Sequence, residues 1–381
     1  MGIRRGHQAR PLEWAAEKLI FLVSLSAILM VFLIFAFIMR EALPLFLGKT
    51  NSALVQEVIP PEDMDKLSHE QLRQYLNLTE QQLAEMDKET LMVLMEVHAE
   101  AQNEIPEQFR NDKDARLNTT RWRHMLLPHQ WTGYSQPEYI WQPVGQIKKY
   151  NIVPLIVGSL KITLVGLLFA VPLAVGAAIY VSQLARPRVR EIVKPAIELL
   201  SGIPSVVVGF FGLLVMATVL QSIFGYQTRL NAFVAGIALG FAVIPVVFSI
   251  AEDAMTSVPP SYTQAALALG SSRWQAAWQI VLPAALPGVF AATVLGFGRA
   301  IGETMIVLMI CSASVMSWSI FDSARTLTAT IAAEMGEVVA GGDHYRILFT
   351  LGALLFAVTF VSNMIGEVVM HRLKHKLEGK R

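Results

Sequence analysis

The chain of 381 residues holds a single cysteine, Cys311, so no intrachain disulfide can staple any part of it. Charge is scarce as well. Asp, Glu, Lys and Arg make up 16% of the residues, where soluble domains carry about 25%. With 54% hydrophobic residues and a mean hydropathy of +0.47, this shortfall points to lipid rather than water as the solvent. A net charge of +1 offers no overall field for nucleic acid. The chain also lacks a phosphate-cradling loop, because Gly48-Lys49-Thr50 has Leu43 where the first glycine belongs. His69-Glu70 does not open a zinc site, since Arg73 stands where the second histidine should be, and His124 with His129 has no supporting ligands. No nucleophile and base stand at a recognisable spacing, so no catalytic residue, metal site or cofactor is assigned to this chain.

What the chain has in abundance is long apolar runs. Leu19–Met39 is longer than the core of a signal peptide and reads as a retained membrane span. Five more fall near 152–182, 192–222, 230–251, 284–312 and 346–370, each able to cross a hydrocarbon layer of about 30 Å. The expected fold is an all-α polytopic membrane protein of about six spans in a bacterial cytoplasmic membrane. Three divisions follow: 1–40, an N-terminus with the first span; 41–150, a polar insert; and 151–381, a five-span core. Basic residues cluster before the first span (Arg4, Arg5, Arg10, Lys18), after the second (Arg186, Arg188, Arg190, Lys194) and after the sixth (Arg372, Lys374, Lys376). The positive-inside rule therefore places both termini in the cytoplasm and the insert outside.

Residues 252–283 spell a polar hook on the cytoplasmic side. Ser261 and Gln264 have capping-box spacing just after Pro259-Pro260, predicting a helix that runs to Gly270, where a left-handed C-terminal turn can form. Ser272 and Gln275 repeat the box and predict a second helix ending near Pro283. The product is an exposed elbow.

The insert is expected to be helical. Ser68 with Gln71 and Thr79 with Gln82 are capping boxes, and Leu91, Leu94, Met95 and Val97 to Ala99 form an apolar face. Trp122, Trp131, Tyr134, Tyr139 and Trp141 gather near the membrane re-entry, where amphipathic rings suit the headgroup zone. A docking surface for a binding protein or sensor and a plain spacer fit the insert equally well.

The membrane chemistry centres on Arg299 and Glu303, four apart and hence on one face of the fifth span. An arginine at mid-bilayer costs about 2.5–3.5 kcal/mol, so it must face protein or water. Its fork suits a tetrahedral oxyanion, and Glu303 would hold that fork between ligands. A structural ion pair locking two helices is the competing account. Gly298 and Gly302 allow close helix contact, within the chain or against a second subunit. Ser201-Gly202-Ile203-Pro204-Ser205 interrupts the third span, which makes Ser201 and Ser205 candidates to line the pathway; a packing kink is the alternative. Lys161 either attracts anions or snorkels to the headgroups.

Several segments resemble a known family. Gln264-Ala265-Ala266, Gly270 and Ile280-Val281-Leu282-Pro283 resemble the EAA loop by which ABC importer permeases dock on ATPase subunits, with Gln264 in place of the usual Glu. "ELLSGIPSVVVGFFGL", "IVLPAALPGV", "GFGRAIGETM" and "TLTATIAAEMGEV" look like the membrane subunits of Pst phosphate importers, PstC more than PstA, from about Trp141 onward. The resemblance implies a type I importer. A PstA-like permease would share the pore, a PstB-like ATPase dimer carrying ATP and Mg would bind the elbows, and a PstS-like protein would deliver phosphate. It also implies that Arg299 and Glu303 take part in phosphate passage. Permeases for sulfate, molybdate or phosphonate, and a phosphate-responsive signalling protein, are the other readings.

Overall fold

Lipid offers the backbone no hydrogen-bond partner, so apolar runs fold as helices that satisfy their own N–H and C=O groups. The structure, a computed structural model, describes residues 11–378 apart from 57, 77, 79 and 312–315. Helix α1 (Pro11–Phe46) leads into the insert, which carries α2 (His69–Leu76), α3 (Glu80–Glu85), α4 (Lys88–Glu104), α5 (Glu107–Arg110) and α6 (Trp122–Leu126). A two-stranded antiparallel ribbon, β1 (Trp141–Gln142) and β2 (Lys149–Tyr150), closes it with Trp141 opposite Tyr150. The core continues with α7 (Val153–Ile179), α8 (Pro187–Leu200), α9 (Ser205–Phe211), α10 (Ala217–Phe224) and α11 (Ala232–Thr256). Next come α12 (Pro260–Ala268), α13 (Arg273–Ala276), α14 (Leu282–Ile301), α15 (Met305–Ile310), α16 (Leu327–Glu334) and α17 (Asp343–Glu378). Among the described residues, six stretches are long and apolar enough to cross a membrane: Ala16–Phe46, Val153–Leu184, Ser205–Phe224, Ala232–Thr256, Arg273–Ile301 and Asp343–Arg372.

Two spans differ from expectation. The third begins at Ser205 rather than near residue 192, because α8 is a separate helix carrying Arg188, Arg190, Glu191, Lys194 and Glu198. Pro204 ends the intervening turn: it has no N–H to donate and disfavours helix in the residue before it. The fifth span stops at Ile301 rather than near residue 312, and the chain restarts as α15 after a short turn. Nor is the insert wholly helical, since it closes with the ribbon. Trp131 and Trp141 are 3% and 0% exposed within the protein, so neither ring sits at a lipid interface. Lys161 is held rather than snorkelling free, with its ammonium donating to the carbonyls of Ser317 (2.9 Å) and Ser319 (2.8 Å).

Small residues bring the core helices together. Ala170, Ala174 and Ala178 recur every four residues on α7 and are fully buried, as are Ala235 and Ala238 of α11. At Gly236 of α11 a β-carbon would stand 2.5 Å from the Val165 side chain, so the two helices meet almost backbone to backbone. Helix α14 lies against α11 and α17, and Gly298 faces the Asn363 side-chain oxygen of α17. Gly298 therefore serves packing within this chain. Helix α1 rests on α17 through the ring pairs Phe35–Phe356 (4.8 Å) and Phe37–Phe349 (5.6 Å).

The insert has a core of its own, built from Met64, Leu72, Tyr75, Leu83, Leu91 and Met95. Ser68 and Gln71 form the predicted reciprocal cap, whereas Thr79 lies outside the described residues. Leu91 and Met95 bury as expected, but Val97 is 54% exposed because it falls off that helical face. Asp114 is buried and accepts from the Thr132 N–H (2.6 Å) and from His129 Nε2 (3.1 Å). Burial pushes the Asp114 carboxyl up, but the bonds from Thr132 and His129 outweigh it and hold the group below its ordinary value. Its contribution to stability is therefore present above the ordinary carboxylate pKa and lost as pH falls through the depressed one. Asp114→Ala leaves the Thr132 and His129 donors without this acceptor, which favours local opening by about 1–3 kcal/mol. Limited proteolysis should then cut around residues 105–135 faster than in wild type; equal cutting rates would show that these bonds hold nothing in place.

Candidate functional site

Three of the predicted pathway residues share one small cavity. Ser201, Ser205 and Arg299 line it with Leu200, Ile203, Val208, Phe241 and Ala242, around a volume of about 40 Å³. The break between α8 and α9 builds one wall. The N–H groups of Ser201, Gly202 and Ile203 bond back to the carbonyls of Glu198, Leu199 and Leu200, tightening the helix end, and α9 restarts after Pro204. Arg299 comes from the last turn of α14, where carbonyl dipoles favour a cation. Its guanidinium makes no hydrogen bond or ion pair among the described residues.

Glu303 is not part of this group. Helix α14 ends at Ile301, so the four-residue spacing no longer places Glu303 above Arg299, and the two form no ion pair among the described residues. The Glu303 carboxylate instead accepts from the N–H groups of Thr304 and Met305 (3.2 Å each) at the start of α15. Its carbonyl accepts from the Thr328 hydroxyl (3.0 Å) of α16. Freed from Glu303, the Arg299 fork is available to an anion.

The elbow forms as two helices around Gly270, with one changed cap. Helix α12 starts one residue before Ser261, after Pro259, and carries no side-chain cap, so Ser261 and Gln264 lie inside it. Pro259-Pro260 already supplies helical φ and removes a donor that would lack a partner, which makes the Ser261 cap unnecessary. Gly270 takes φ +91°. Its N–H bonds to the Leu267 carbonyl and that of Ser271 to the Ala266 carbonyl, closing α12 in a left-handed turn that favours glycine. Ser272 and Gln275 make the predicted reciprocal cap of α13.

The second helix does not end at Pro283. It continues from α13 through a π-helical turn, Ala277–Val281, into α14, and Pro283 follows directly on that turn, whose wider bond from the Leu282 N–H to the Ala277 carbonyl makes room for the proline. The elbow is thus continuous with the span that carries Arg299. Gln264, Ala265, Ile280 and Pro283 are exposed on it, and Ala266 is buried at its back. Leu269 is 89% exposed, and the Trp274 and Trp278 rings stack 6.0 Å apart at 13° in the open. An apolar knob of this kind marks a surface for a protein partner. Sequence reasoning passed over the two tryptophans, although their spacing of four next to a capped elbow was a readable signal.

Glu252 was missed as well. Its carboxylate is 1% exposed and lies 2.6 Å from Arg190 and 2.7 Å from Lys194, both on α8. The Thr256 hydroxyl donates to the same group (3.2 Å). The hydrogen bond from its ammonium to Glu252 holds Lys194 above its ordinary pKa.

Residues 151–378, well over half of the chain, match the family described as binding-protein-dependent transport system inner membrane component. The chain belongs to this family of permeases. The probable ABC transporter permease protein YqgH of Bacillus subtilis (strain 168) is 35% identical over 235 residues, 61% of this chain and 76% of that one. The phosphate transport system permease protein PstC of Xylella fastidiosa (strain 9a5c) is 34% identical over 257 residues, 62% of this chain and 78% of that one. An inward-facing MetNI methionine ABC transporter structure aligns at a TM-score of 0.47 and 19% identity, over 58% of this chain and 95% of that one.

As a permease of a binding-protein-dependent system, the chain is a multi-pass translocation component of the inner membrane that works with an ATPase and a substrate-binding protein. The family match takes in both the cavity and the elbow of the permease. It begins at Asn151, where the insert ends, so the insert lies outside what this permease shares with the family.

Proposed function

We propose that this permease forms one half of the pore of an ATP-driven phosphate importer, beside a PstA-like subunit. A PstB-like ATPase dimer docks on the elbows, and a PstS-like protein delivers phosphate from the side that carries the insert, both termini of this chain being cytoplasmic. ATP and Mg bind the ATPase, and this chain hydrolyses nothing itself. The observation that carries this reading is the Arg299 guanidinium, without an acidic partner among the described residues, facing a cavity with the hydroxyl-bearing Ser201 and Ser205. The PstC-named relatives support phosphate over other oxyanions.

Arg299 presents paired donors and a charge that does not titrate away, which suits a tetrahedral oxyanion bound through two oxygens. The Ser205 hydroxyl can donate to a further oxygen, whereas that of Ser201 donates to the Glu198 carbonyl (2.6 Å) and offers the cavity its lone pairs. Closure of the ATPase dimer moves the elbow, and α14 carries that motion to Arg299 without a break, so access to the cavity alternates between the two sides.

The test is uptake of labelled phosphate by cells that lack their own phosphate importers and express this chain with its candidate partners. Energy-dependent uptake that excess sulfate and molybdate leave unchanged is expected. Uptake abolished by sulfate or molybdate, or no phosphate uptake at all, would replace phosphate by another substrate.

A further inference from the structure

Beside Phe241 and Ala242 of α11, the cavity has two polar walls, and each has its own connection to the elbow. Arg299 belongs to the first, which is joined to the elbow by unbroken helix from Arg273 to Ile301. The second wall is the end of α8 and the break after it, where Leu200, Ser201, Ile203 and Ser205 face the cavity. No continuous helix links this wall to the elbow. Val193 and Ile197 of α8 pack against the core there, and the polar link is the buried Glu252, one turn before the end of α11, gripped at 2.6 Å by Arg190 and at 2.7 Å by Lys194 of α8. Lys194 also stands 3.8 Å from Asp253, and the Gln183 side chain donates to the Met255 carbonyl (3.5 Å), so the same end of α11 is held from two sides.

Resting on the importer reading above, we propose that Glu252 is a positioning residue for transport. Through Arg190 and Lys194 it ties α8 to the foot of the elbow, so that the Ser201–Ser205 wall moves together with the Arg299 wall when the ATPase closes. A carboxylate that is 1% exposed and holds two cations is stiff, because losing one bond gives up a charge-assisted hydrogen bond and losing both would leave its charge uncompensated away from water. Arg190 and Lys194 are themselves 39% and 32% exposed at the side chain, so both can rehydrate when the carboxylate is neutralised. Glu252→Gln keeps the shape and removes the charge, and it is expected to fold and assemble.

The test uses the assembled transporter in lipid vesicles with phosphate and its binding protein, and reads two quantities. Phosphate moved per ATP hydrolysed should fall at least about tenfold in Glu252→Gln, with the ATPase rate within about twofold of wild type. Lys194→Gln should fall in the same direction by less, since Arg190 still holds Glu252. Spin labels at Gly202→Cys and Leu269→Cys give the second readout, which needs no transported substrate. With Glu252 present they should report one narrow distance with and without ATP; with Glu252→Gln the distribution should shift or broaden on adding ATP. Identical distributions in the two backgrounds, or transport and ATPase falling in the same proportion, would reduce Glu252 to a structural anchor and overturn the proposal. Failure of the wild-type complex to move phosphate would overturn the phosphate reading alone, leaving the label distances to decide this one.

Discussion

Arg299→Ala should cut ATP-driven phosphate uptake by about 10–100-fold while the complex still assembles. A hydrogen bond to a charged group contributes about 1.5–3 kcal/mol, and each 1.4 kcal/mol is about tenfold in rate. Assembly should survive because the side chain has no structural partner among the described residues, so truncating it leaves no buried group stranded. Arg299→Lys should retain part of the uptake, since it keeps the charge but loses the paired donors. Labelled-phosphate uptake set against the amount of complex recovered from the membrane separates transport from assembly. Equal uptake by Arg299→Ala and wild type would remove Arg299 from the pathway.

The second large effect is structural. Gly158→Ala would place a β-carbon 2.2 Å from the Arg325 carbonyl oxygen and 3.1 Å from its carbon, a clash with backbone rather than with a pliable side chain. That backbone has little room to retreat. Arg325 is anchored through its guanidinium to Glu334 (2.9 Å), and Thr326 caps α16 by accepting from the Ala329 N–H. Glu334 in turn accepts from the Trp141 indole (3.1 Å) and pairs with His344 (2.9 Å), so a shift at Arg325 would spread into the insert and α17. The expected cost is about 3 kcal/mol or more. It should be seen as loss of folded protein from the membrane or a drop of several degrees in thermal unfolding. Gly176→Ala, on the same helix with no atom within 4 Å of its added carbon, serves as the control and should be neutral. Equal stability of the two variants would show that α7 and the Arg325 loop are not in fixed contact.

Much of the elbow was legible because its signals are local. Ser272 with Gln275, and Gly270 in the left-handed turn, depend on residues within one or two helical turns, and they formed as the spacing predicts. Pro283 misled because a proline permits two outcomes. It ends a helix when nothing follows, but an apolar span did follow, and a π-helical turn let the helix run on through it. Arg299 and Glu303 misled for the opposite reason: a spacing of four places two side chains together only while the helix lasts, and this one stops at Ile301. In the insert, Asp87 caps α4 through the Thr90 N–H (3.2 Å), a local signal of the same kind as the Ser68 cap. The burial of Trp131 and Trp141 had no such local sign.

Composition and hydropathy by themselves determined that the chain crosses a membrane about six times, because lipid rewards uninterrupted apolar helices wherever they occur in a sequence. Local spacing determined the turn at Gly270 and the Ser272–Gln275 cap. Tertiary structure alone decided that Ser201, Ser205 and Arg299 share a cavity, that Glu303 does not join them, and that Glu252 grips residues 62 and 58 positions away. The physical reason is range. Hydrogen bonds within a turn and transfer into lipid follow from a residue and its near neighbours, whereas pairings across the fold are set by which helices pack together, and small residues spread over the whole chain decide that packing.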